Sequence, residues 1–98
     1  MKPIRWSDEK STILRGQKTR SGIGFEHCVA AIENGKILDI VTNPSRNHSS
    51  QQMYIININN YAYCVPFVES ETEIFLKTVF PNRRMTAKYL DRLKHEKN

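Results

Sequence analysis

The hydrophobic positions of this chain change period once, just after Gly35. Before it, Phe25, Cys28, Val29 and Ile32 recur at the spacing of one helix face. Gly35 stands where a left-handed stop belongs, so the spacing predicts a helix from about Phe25 to Asn34. After it the period is two, and Ile37–Asn43, Met53–Asn59, Tyr61–Glu69 and Glu73–Phe80 read as four strands. Asn59-Asn60 suits a tight hairpin turn and Ser70–Thr72 forms the next connection, so short links imply an antiparallel meander. Upstream, Ile4 to Trp6 is a candidate short strand. Ser7 can N-cap a helix through about Lys18, with Asp8 and Glu9 in the first turn, where the helix dipole favours acids. Arg20 to Gly24 is a break. A last helix, starting at Thr86 or at Asn82 as N-cap, carries Leu90 and Leu93 inward and Lys88, Arg92 and Lys94 outward. The expected fold class is α+β: a four-stranded antiparallel meander with two N-terminal helices and a C-terminal helix, the helices covering one face of the sheet.

Ninety-eight residues make a single domain, 1–98, that buries roughly two thirds of the surface its unfolded chain exposes. That leaves room for one modest core and a shallow site. There is no repeat, low-complexity tract or linker. The start of the chain lacks an apolar signal region, and no apolar run is long enough to span a bilayer, which points to a cytoplasmic protein with no membrane partner. Charge is unevenly placed: residues 1–20 and 81–98 each carry six bases and two acids, whereas residues 21–80 carry three bases and six acids. If the two basic ends meet, they form a patch that attracts a polyanion in a salt-dependent way. Cys28 and Cys64 are far apart, with no CxxC and no ligand-spaced histidine, and read as buried thiols. No metal or other cofactor is expected.

The segment Glu73–Leu90 is the most informative for chemistry. An apolar strand runs into Pro81 and then delivers Arg83 and Arg84, whose planar donor forks match a phosphate, at a helix start. RNA or DNA is therefore the first partner to consider. Lys77 can reach the same region if its strand face, shared with Phe75 and Val79, points there, and Lys88 adds charge along the last helix. Lys18 and Arg20 can line the opposite rim of a groove. Tyr54, Tyr61 and Tyr63 are able to stack an unpaired base, although cross-strand packing is the ordinary role of a strand tyrosine. A ribonuclease that works without metal needs a base for the 2′-hydroxyl, a cation for the phosphorane and an acid for the leaving 5′-oxygen. His48, in the polar loop Asn43–Ser50, is the candidate base or acid, with Arg83, Arg84 and Lys77 as its cationic partners; an exposed loop histidine with no role is the plain alternative.

The order of elements and four short motifs resemble the BrnT family of bacterial type II toxins, small ribonucleases with a RelE-like fold. Trp6-Ser7-Asp8-Glu9-Lys10 resembles the family's Trp-Asp-x-x-Lys, and Gly22-Ile23-Gly24-Phe25-Glu26 its Gly-Val-Ser-Phe-Glu. His48-Ser49 precedes the second long strand as the family's His-Ser does, and Asn82-Arg83-Arg84-Met85-Thr86 resembles its Ala-Arg-Arg-Ala-Thr. The chain departs from the pattern at Ser21, where a histidine often precedes the glycine, and at Tyr89, which replaces the Glu of a capping box behind Thr86. The resemblance implies an endoribonuclease toxin that inhibits growth and is neutralised by a cognate antitoxin, a ribbon-helix-helix DNA-binding protein encoded alongside it. Two other readings use the same face: a non-catalytic nucleic-acid binder, and a toxin of the same fold that blocks a protein target.

Overall fold

The computed structural model describes residues 2–7, 23–42 and 52–91. The helix expected to follow its cap at Ser7, over residues 8–18, lies outside them. The elements run β1 (Ile4–Arg5), α1 (Phe25–Glu33), β2 (Ile37–Thr42), β3 (Gln52–Ile58), β4 (Tyr61–Glu69), β5 (Ile74–Leu76), β6 (Phe80–Pro81) and α2 (Arg83–Thr86). Helix α2 continues into a wider π-helical turn over Ala87–Asp91. The strands form one six-stranded sheet in the order β1-β5-β4-β3-β2, with β6 on β4 beyond the end of β5.

This corrects the expected four-stranded antiparallel meander with three helices. The sheet is mixed, because β1 lies parallel to β5 with Ile4 opposite Ile74 and Arg5 opposite Phe75. The predicted strand Glu73–Phe80 is broken into β5 and β6. Pro66 of β4 explains the break. Its carbonyl accepts the Lys77 N–H at 2.8 Å, yet its nitrogen has no hydrogen to return, so the ladder fails opposite it and resumes at Phe80. The interruption also shifts the face: Val79 joins Ile74 and Leu76 in one cluster, while Phe80 lies in the other, against the simple alternation that grouped Val79 with Lys77.

Nor do the helices share a face. Helix α1 buries Phe25, Cys28 and Ile32 against Tyr54, Ile56, Tyr63 and Val65. The terminal helix sets Met85 and Tyr89 against Met53, Ile55, Ala62 and Cys64 on the other side. Ile55 and Ile56 are neighbours in β3, point to opposite faces and are both fully buried.

Local chemistry fixes each element. The Gly24 N–H is capped by Nδ1 of His27 at 2.9 Å, and Gly35, at φ 73°, ends α1 as the Lys36 N–H returns to the Ala31 carbonyl at 2.8 Å. Phe25 has no exposed surface, a burial that contributes about 1.5–3 kcal/mol, and its ring stacks on Trp6 at 6.0 Å. Asn59 and Asn60 both take positive φ (55° and 64°) in the two-residue turn that pairs Ile58 with Tyr61. A register shift between Ile37 and Asp39 in β2 places Asp39 opposite Ile55, on the side of the terminal helix. Among the described residues, no helix is long and apolar enough to cross a membrane.

Candidate functional site

Among the described residues the terminal helix covers one end of its sheet face, and the edge of that cover forms the site. Asn82 caps α2 by accepting the Met85 N–H at 3.0 Å. Thr86, one of the two expected N-caps, instead clamps the helix to β4: its hydroxyl donates to the Asn82 carbonyl and accepts the Ala62 N–H, each at 2.9 Å. On the far side, the Tyr89 hydroxyl donates to Oδ2 of Asp39 at 2.5 Å. That bond, followed by the Ile40 N–H, holds the Asp39 carboxyl below its usual range, with nearby Lys88 acting in the same direction, and it raises the Tyr89 phenol.

Beyond these anchors opens a cleft of about 450 Å³. Val41, Met53, Phe80 and Met85 form its apolar walls, and Arg84 and Lys88 stand on its rim. The two cations are four residues apart and therefore share one side of the helix. Lys88 also lies over the Tyr89 ring, 5.2 Å from its centroid. No acidic side chain lines the cleft among the described residues.

Past the cleft, no helix among the described residues packs on the same sheet face. Met53 pairs with Pro66, and the next residue of β4 on that face, Val68, pairs with Phe75, which in turn lies beside Arg5. Residues paired across strands share a face, so Arg5 and Phe75 extend the surface that begins at Met53. Lys77 reaches back over the Phe75 ring at 5.6 Å. Val68 is 46% exposed, an unusually open apolar position. Among the described residues the sole salt bridge is Lys2 with Glu69, at 2.7 Å and well exposed, which leaves Arg5, Lys77, Arg84 and Lys88 without an ion-pair partner there.

The structure thus gathers three of the candidates, Arg84, Lys88 and Lys77, and separates others. Arg83 is exposed but does not line the cleft, so the adjacent arginines do not act as a pair on it. Tyr54 is a correction: its ring is 6% exposed, lies under α1 on the opposite face and stacks on Phe67 at 4.2 Å, with its phenol raised by desolvation, so it offers no base platform. Tyr63 is buried on that side too, and its partly buried neighbour Tyr61 packs on it edge to face. His48, Lys18 and Arg20 lie outside the described residues. His48 belongs to the segment joining Thr42 to Gln52, and Thr42 and Met53 both line the cleft. Cys28 and Cys64 are free and fully buried, and burial pushes the Cys28 thiol up to about 12.

Sequence reasoning missed Arg5, Asp39 and the cleft itself. Arg5 depends on a parallel pairing of two residues, too short a run to signal a partner. Asp39 reaches Tyr89 only because of the register shift in β2. The apolar walls had a visible signal in Val41, Met53, Phe80 and Met85, but nothing in the sequence set them on one surface. In comparisons with known proteins, no family model, curated protein or solved structure matches the chain.

Proposed function

We propose that the sheet face around the cleft binds RNA and that the chain is the endoribonuclease toxin of a two-component system, as its resemblance to BrnT toxins implies. The observation that carries RNA binding is the gathering of Arg5, Lys77, Arg84 and Lys88 on one face, with the nearby carboxylate of Asp39 engaged by Tyr89. Four cations with no ion-pair partner among the described residues, set around apolar walls, suit a flexible polyanion that carries planar bases.

In the cleavage step the 2′-oxygen of the substrate attacks the adjacent phosphorus as its proton passes to a base. The P–O5′ bond then breaks and the 5′-oxygen takes a proton from an acid, leaving a 2′,3′-cyclic phosphate. Arg84, which lines the cleft, is the group we assign to stabilise the added charge on the phosphorane. His48 is the residue we assign to proton transfer, since the unperturbed pKa of a histidine lies near neutrality and Thr42, which precedes its segment in the chain, lines the cleft. A cognate antitoxin would neutralise the chain by covering this face.

Incubation of labelled RNA with the purified protein in chelator tests the reading. Cyclic-phosphate products, lost in His48→Ala and at least about tenfold slower in Arg84→Ala with unchanged melting, support it. Intact RNA that is nevertheless bound points to a non-catalytic RNA-binding protein. One observation favours that second reading: the Tyr89 hydroxyl, which lines the cleft, is engaged by Asp39, and that bond raises the phenol away from the range of a general base at neutral pH.

A further inference from the structure

We infer that the cleft between the terminal helix and β2–β3 is a pocket for one unpaired base of a single-stranded polynucleotide, with the phosphate next to that base held by Arg84 and Lys88. The inference rests on the reading of this face as an RNA-binding surface and adds how the strand is gripped.

Three observations point to this occupant. The first is the division of chemistry within the cleft. Its walls, Val41, Met53, Phe80 and Met85, are apolar, while its rim carries two cations and no acid among the described residues. A ligand that satisfies both joins a flat apolar group to a nearby anion, which is the chemistry of a nucleotide. The volume of about 450 Å³ falls within the range of roughly 300–1,000 Å³ typical of small-molecule sites, and this is ample for one base and its sugar.

The second is that the walls are held before any ligand arrives. Tyr89 is tied to Asp39, Thr86 to Ala62 and the Asn82 side chain to the Met85 N–H. A cleft fixed in this way loses little freedom on binding. The same bonds limit what it can read. Asn82, the one amide among the described lining residues, has its oxygen engaged in capping α2 and its side chain bonded to Cys64, which leaves the Thr42 hydroxyl as the main uncharged reader, so the pocket recognises a base chiefly by stacking and apolar contact and discriminates weakly among bases.

The third is the continuation of charge beyond the cleft. Arg5 and Lys77 lie on the same face past Pro66 and Val68, where a free mononucleotide would leave them unused. A strand running from the cleft across β4, β5 and β1 uses all four cations.

The test measures binding of short 2′-O-methyl oligoribonucleotides, which lack the 2′-hydroxyl needed for cleavage, against the same backbone made abasic, and against uridine monophosphate. For the intact protein we expect the base-bearing oligomer to bind at least about tenfold more tightly than the abasic one, with less than about threefold spread among homopolymers of different bases. Val41→Trp places a large ring in the cleft from a half-buried position on an edge strand. It should remove most of the preference for the base-bearing oligomer over the abasic one, and a folded Val41→Trp protein that keeps the full preference overturns the pocket. Equal binding of base-bearing and abasic oligomers by the unaltered protein overturns the pocket while leaving RNA binding standing. Absence of binding by either, even at low salt, overturns both. Uridine monophosphate binding as tightly as the oligomer reassigns the cleft to a free nucleotide and overturns the polynucleotide reading.

Discussion

If Arg84 but not Arg83 contacts the nucleic acid, the two adjacent arginines should differ in a quantity that a general charge effect cannot separate. The face carries Arg5, Lys77, Arg84 and Lys88, whereas Arg83 is exposed away from the cleft. Each phosphate neutralised on a single strand contributes about −0.7 to the slope of log binding constant against log salt, so four contacts give a slope of about −2.8. Between about 50 and about 200 mM salt the unaltered protein should then lose roughly fiftyfold in affinity. Arg84→Ala should flatten the slope to about −2.1 and weaken binding about fivefold at about 0.1 M salt. Arg83→Ala should leave the slope near its original value, although it removes the same formal charge. Fluorescence anisotropy with a labelled 2′-O-methyl oligomer over a salt series measures both quantities. Matching slope changes in the two variants would refute the assignment, because they would mean that the ligand senses only net charge.

Three further outcomes follow from the geometry. Ile55→Ala and Ile56→Ala should each cost about 2–5 kcal/mol in chemical denaturation, because both side chains are fully buried on opposite faces of β3; near-neutral behaviour of either one would mean that its face is uncovered. Tyr89→Phe should lower the melting temperature most at intermediate pH. Asp39, depressed chiefly by the Tyr89 hydroxyl, adds stability above its unfolded pKa that is lost as pH falls through its folded value, and Tyr89, raised by the same bond, adds stability that is lost as pH rises through its own. The gap between wild type and variant should therefore be full between about pH 5 and about pH 9 and should close at both ends; a gap constant with pH would sink the link. Neither cysteine should react with a thiol reagent at neutral pH until the chain unfolds, since both are fully buried and burial pushes the Cys28 thiol to about 12; rapid labelling of the native protein would contradict this packing.

What could be read from the chain and what could not divide along a physical line. Turns announce themselves locally, and Asn59-Asn60, Gly35 and the Asn82 cap stand where their residue types require. The limits of β2, β3 and β4 followed from those turns to within a residue. The two-sided cover of the sheet was also written in the sequence, in a form that strict alternation hides. Met53-Tyr54-Ile55-Ile56 and Ala62-Tyr63-Cys64-Val65-Pro66-Phe67 are unbroken runs, and all their residues are buried, which is the pattern of strands packed on both faces. A helix on each side was the consequence to draw from them. Pro66 likewise marked the point where the neighbouring strand had to break, but only once that neighbour was known. The site was less legible for a different reason. Its cations come from β1, from the broken β5–β6 stretch and from the terminal helix, three pieces brought together by a parallel pairing and a lost ladder bond. Neither event leaves a periodic trace. The arginine pair looked like the centre of the site because adjacency is visible in a sequence, yet adjacent helical residues point about 100° apart, and the residue that shares a side with Arg84 is Lys88, one turn on.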